Sequence, residues 1–282
     1  MMNRPLFILK DNLIMPILAT EARIFEIKKE LDQNTSDVSL NGLFLMLVSY
    51  IESMQKEIIK HYLKYRPEKI SVNSLEVDKA ILVESEDFYF LERIVTDYID
   101  KMPYWRLSIL FFDVLEIKKP KNENRILNIK RRRNDLIHNN LIVNFKRKEI
   151  QQDSINASYL LICLKEYENY LSELKSSISV AFINFNKINA LENLWHYTFT
   201  TPLCSNFSDY WYIDNNNDAI LGCKHPEVET SLSSSEKFIL EIWRSQVCGS
   251  KVDFPNMSSL DKHHQNCLYM FLKLSNDIFL YN

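Results

Sequence analysis

The run Arg131-Arg132-Arg133-Asn134-Asp135-Leu136-Ile137-His138 sets three guanidinium groups close to one imidazole. Histidine exchanges protons near neutral pH, so it can serve as base or acid. Arginine stays charged and offers a fork of donors that fits phosphate oxygens. Such a pair can hold a phosphate and move protons beside it without a metal, because the charge stands where charge develops. The surroundings fit that chemistry. Between Ile117 and Glu149 stand Lys118, Lys119, Lys121, Arg125, Lys130, Arg131, Arg132, Arg133, Lys146, Arg147 and Lys148, eleven of the 34 basic residues. Only Glu123, Asp135 and Glu149 oppose them. A local excess of this kind in a chain of net charge −3 is the footprint of a polyanion site. A solvated helix face beside a basic loop is the rival reading.

The elements that must carry these groups read as helices. Ile17, Leu18, Ile24, Phe25, Ile27 and Leu31 suit an amphipathic helix over 16–31, with Pro16 in its first turn. Asp32 to Ser39 break the pattern. Phe44, Leu47, Val48, Ile51, Met54, Ile58, Tyr62 and Tyr65 recur at helical steps until Pro67. Phe88, Leu91, Ile94, Val95, Tyr98 and Ile99 repeat the pattern before Pro103. Leu107 to Leu115 is almost wholly apolar and is expected to be a central, buried helix. The basic segment follows Pro120, and a long helix is marked from Ala157 to Phe185.

On an ideal helix positions 133 and 138 point about 140° apart, whereas 134 and 138 share a face. Arg133 must then reach round the helix or meet a histidine from a second copy related by a two-fold axis.

The string Arg-Asn-Asp-Leu-Ile-His-Asn from Arg133 resembles the signature of the HEPN superfamily, an arginine followed by four to six residues and a histidine. The resemblance covers at most residues 42–185. Together with the helical periodicity it gives a mainly α, HEPN-like helical bundle over 1–188, with a helical extension over 1–38. It also implies a homodimer with a composite site and, for many members, a metal-independent endoribonuclease acting as a toxin or in defence against phage. In that reading His138 is the general acid/base in attack of a ribose 2′-hydroxyl on the adjacent phosphate. Arg133 is chosen among the three arginines because Asn134 follows it, as the family pattern prefers. It becomes the transition-state phosphate ligand, with Asn134 in support. Arg131, Arg132, Lys130 and Arg125 hold the RNA backbone. Glu52 flanks the apolar stripe of the first strong helix, where some members use a polar residue to orient the site; a solvent-facing glutamate is the plainer account. Two places after the histidine stands Asn140 rather than the tyrosine that some members offer for AMP transfer, so that control is not expected. An antitoxin or regulatory partner is expected, because an active toxin must be restrained. A non-catalytic module of the same fold, docking a protein or nucleic acid, is the alternative.

Composition excludes other classes. With only three glycines, widely spaced, no loop can cradle a nucleotide phosphate as P-loop or Rossmann folds do. No cofactor is implied. No stretch has the apolar length of a membrane span, and Lys10 and Asp11 interrupt the apolar start. Five scattered cysteines are not a disulfide framework, which points to a reducing, cytoplasmic setting.

Residues 189–282 read as a small α+β domain. Tyr210–Ile213 and Ala219–Cys223 flank Asp214-Asn-Asn-Asn-Asp218 as a hairpin. Ser233 and Glu236 have capping-box spacing before a helix, Gly249 stands where its C-cap belongs, and a last helix spans about 260–274. Cys204, Cys223, Cys248, Cys267, His196, His225, His263 and His264 gather here without a Cys-x-x-Cys pair, so free thiols rather than zinc are expected. Trp195, Tyr197, Tyr210, Trp211 and Tyr212 are expected to form a core rather than a base-stacking surface.

Overall fold

The structure, a computed structural model, describes residues 8–31, 36–66, 69–70, 88–138, 155–199, 207–213, 215, 220–223, 232–248 and 260–279. It is mainly α. The helices are α1 (Lys10–Leu31), α2 (Asp37–Leu63), α3 (Phe88–Asp100), α4 (Tyr104–Leu115), α5 (Glu123–His138), α6 (Ala157–Ala181), α7 (Lys187–Thr198), α8 (Ser234–Cys248) and α9 (Lys262–Phe279). A 3-10 turn at Phe207–Asp209 leads into β1 (Trp211–Ile213) and β2 (Ile220–Cys223). Among the described residues no helix is long and apolar enough to cross a membrane.

The chain forms two compact units, and each is discontinuous in sequence. One gathers residues 11–60 and 99–182; the other gathers 1–10, 61–98 and 183–282. The domain reading 1–188 and 189–282 follows chain order, whereas the helical unit leaves 61–98 to the second one.

In the helical unit the apolar stripe of α2 is buried from Phe44 through Leu47, Ile51 and Ile58. Leu160, Leu164, Leu171 and Leu174 of α6, Leu13 and Ile17 of α1 and Ile126 of α5 are buried as well, and Phe44 of α2 lies 5.9 Å from Tyr159 of α6 between ring centroids. Asn156 caps α6, its side chain accepting from the Tyr159 N–H at 2.8 Å. Two sequence expectations change here. α1 starts at Lys10, so Pro16 lies inside the helix rather than in its first turn. Complete burial of Leu13 and Ile17 on either side offsets a proline cost of about 3 kcal/mol. In α4, Leu107 and Phe111 are buried, but Trp105 and Ile109 are exposed, so the apolar run covers a surface as well as a core.

The second unit is built on aromatic rings. Trp195 of α7 is buried with Phe199, Tyr210, Phe207, Trp243 and Trp211 at centroid distances of 4.3, 4.7, 5.8, 5.7 and 5.9 Å. Trp243 of α8 stacks on Phe271 of α9 at 4.3 Å. These aromatics are core, apart from Tyr197, half-buried, and Tyr212, which faces solvent. β1 and β2 pair antiparallel, Trp211 opposite Cys223 and Ile213 opposite Ile220, with an irregularity after Tyr212. The capping box of α8 is closed: Ser233 N–H donates to Glu236 Oε2 at 2.8 Å, and Glu236 N–H to Ser233 Oγ at 3.2 Å. Gly249 lies outside the described residues.

α4 ends on Glu116 in the left-handed region (φ 55°, ψ 35°), with its N–H donating to Phe112 O at 3.0 Å. A Cβ there is strained, and glycine relieves it. Glu116→Gly is expected to stabilise the fold by about 0.5–1 kcal/mol, seen as a higher urea midpoint at unchanged slope.

Candidate functional site

α5 carries the arginine run, and its inward stripe sets what each residue can do. Ile126, Ile129 and Leu136 are buried, and Arg133, seven residues beyond Ile126, lies on the same line. Arg133 is therefore half-buried. Its Nη1 donates to Asn134 Oδ1 at 3.1 Å, while its Nε is buried without a hydrogen-bond partner. No carboxylate pairs with Arg133 or Arg131 among the described residues; Arg131, exposed, donates to Asn128 Oδ1 at 3.3 Å. A partly desolvated guanidinium without a counter-ion is a position where an anion gains more than at an ordinary surface arginine.

The other expected ligands divide. Arg132 is half-buried. Arg125 is exposed and forms a salt bridge to Glu166 of α6, whose carboxylate also accepts from Asn122 at 2.9 Å. That pairing holds the Glu166 carboxyl below its ordinary pKa, with the Asn122 bond as the largest cause. Lys118, Lys119 and Lys121 are exposed just before the helix. α5 ends at His138, so positions 133 and 138 both lie on this helix. Lys146, Arg147, Lys148 and Asn140 lie outside the described residues.

Lys130 corrects the sequence reading. It is not a surface ligand for RNA: it is 3% exposed, and its Nζ donates to Gln55 Oε1 of α2 and Ser108 Oγ of α4, both at 3.3 Å. Gln55 in turn donates to Tyr170 OH of α6 at 2.8 Å. Burial pushes the Lys130 amine down to about 7, against the opposing pull of the Glu52 carboxylate. Glu52 is half-buried and pairs with Lys56 at 3.4 Å. Half-withdrawn from solvent, it supplies negative charge toward the buried amine. Gln55, Ser108 and Tyr170 escaped the sequence reading because nothing local marks them. Lys130 had a signal: it stands four residues after Ile126 and beside Ile129, on the inner line of α5.

Glu123, in the first turn of α5, has a buried Oε2 without a partner, and burial pushes its carboxyl up to about 7. The acidic opposition within the basic stretch is thereby weakened near neutral pH.

In the second unit His263 Nε2 lies 3.6 Å from the buried Cys267 Sγ, and His264 Nδ1 lies 2.6 Å from Asp261 Oδ2. No group of three or more potential metal ligands occurs among the described residues. Cys204 and His225 lie outside them.

No protein-family model, curated protein or solved structure significantly matches this chain.

The lowered pKa of Lys130 makes stability depend on pH. The unfolded chain keeps its proton up to about 10.5, while the folded chain gives it up near 7. Stability from this group therefore rises with pH above about 7 and is lowest below it. Lys130→Met removes that dependence. Relative to the variant, the wild type should gain on the order of 2 kcal/mol between pH 6 and pH 9, measured by urea unfolding at both values.

Proposed function

We propose that this chain is a metal-independent endoribonuclease of HEPN type, working in the cytoplasm as a toxin or anti-phage effector. The observation that supports it best is Arg133: a half-buried guanidinium, with one nitrogen unpartnered and no carboxylate beside it among the described residues, five residues before His138 on the same helix. That cation binds a phosphate oxygen and stabilises the charge that builds as a ribose 2′-hydroxyl attacks the adjacent phosphorus. His138 takes the hydroxyl proton or gives one to the leaving 5′-oxygen, completing cleavage to a 2′,3′-cyclic phosphate and a free 5′-hydroxyl. Asn134 accepts from the Arg133 guanidinium and sets its direction. Arg131, with Lys118, Lys119 and Lys121, presents exposed positive charge to the RNA backbone. A second copy supplies the histidine that a single helix turns away from Arg133, so the working form is a homodimer. An antitoxin or other partner restrains it.

The experiment is cleavage of total RNA and transfer RNA by purified protein in EDTA. Wild type is expected to leave 2′,3′-cyclic phosphate ends. His138→Ala and Arg133→Ala are each expected to lose at least about 100-fold in rate, with RNA binding surviving in His138→Ala. Equal cutting by wild type and His138→Ala overturns the site. RNA binding with no turnover by the wild type favours a docking module instead.

A further inference from the structure

α1 buries Leu13, Ile17, Ile24 and Ile27 on its inner face, yet its outer face is also apolar. Met15, Leu18 and Phe25 are 50%, 41% and 58% exposed, and Ala22 between them is exposed too. Their spacing of three, four and three residues is that of a coiled-coil seam. Charge closes the stripe at both ends. Asp11 continues it four residues before Met15, and Lys29 four residues after Phe25. Both are exposed, and neither has an ion-pair partner among the described residues; Lys29 Nζ lies 4.6 Å from the Phe25 ring centroid.

The pattern is its own complement when reversed. We propose that α1 docks a second copy of this chain, helix against helix, antiparallel about a two-fold axis at residue 20. Asp11 then meets the partner's Lys29, Met15 the partner's Phe25, and Leu18 the partner's Ala22. Each layer joins unlike members: opposite charges at the ends, sulfur against ring next, large against small beside the axis. A parallel pair would set Asp11 against Asp11 and Lys29 against Lys29, which selects the antiparallel form. Glu21, near the axis, keeps its carboxylate on Lys175 at 3.0 Å, so the two copies do not bring bare like charges together. The surface belongs to α1, not α5, so it is a contact separate from the one by which a second copy would bring its histidine to Arg133, and the proposal stands whether or not RNA is cut.

The test is sedimentation of the full chain at about 10–100 µM, where an interface at the small end of the size range is populated. Wild type is expected to associate through α1, as a dimer where that contact acts alone and as a larger assembly where the α5 contact forms with it. Leu18→Glu, at an exposed position, is expected to raise the dissociation constant at least ~100-fold with helical circular dichroism unchanged. Asp11→Lys is expected to raise it about tenfold, and Asp11→Lys with Lys29→Asp to restore it. A monomeric wild type, or a dimer unmoved by Leu18→Glu, overturns the proposal. Loss in Asp11→Lys without recovery in the double variant overturns the antiparallel register. RNA cleavage is not read in these experiments, so their failure leaves the ribonuclease reading to its own test.

Discussion

The helical unit is organised around one buried lysine amine. Taking a lysine out of water is costly unless polar partners replace the water. Here the Lys130 amine finds the amide oxygen of Gln55 and the hydroxyl of Ser108, and Gln55 passes its own donor on to Tyr170. Those four side chains come from α5, α2, α4 and α6, so satisfying one group requires all four helices in register. A shift of α5 along or about its axis would leave a buried donor unpaired, at about 1–3 kcal/mol for each group affected.

The same constraint sets the outer face of α5. With Lys130 turned inward, Ile126, Ile129 and Leu136 follow, and Arg133 lands at the edge of the buried line. Its guanidinium is thus half withdrawn from water, whereas Arg131 and Asn134 stay outside. A charge held at such an edge attracts an anion more strongly than a free surface arginine does, because less solvent screens it. The phosphate-site reading therefore depends on where a different side chain is buried. Glu52 belongs to that inner arrangement rather than to the outer one.

Much of the helical architecture was legible from spacing. The stripe Phe44 to Tyr62 and the Ser233–Glu236 box are local patterns, and the geometry that makes them acts over three or four residues. The strands flanking Asp214–Asp218 were legible for a similar reason, since an aromatic run on one side and an aliphatic run on the other enclose a turn-forming stretch. Trp195 was legible as core, although the rings that surround it come from segments far along the chain. Less legible was α1. A proline reads as a boundary, yet burial of Leu13 and Ile17 carries the helix through it.

By itself the sequence determined that the chain is mainly helical, that positive charge gathers between Ile117 and Glu149, and that Arg133, Asn134 and His138 share one helix. Those are properties of composition and short-range periodicity. Only the tertiary structure decided which cations face water: Lys130 is inside, Arg125 is taken up by Glu166, and Arg133 has no carboxylate beside it among the described residues. The reason is distance along the chain. Gln55 lies 75 residues from Lys130 and 115 from Tyr170. A lysine's partners at that range leave no trace in the letters beside it, since burial and pairing are set by helices that meet only after folding.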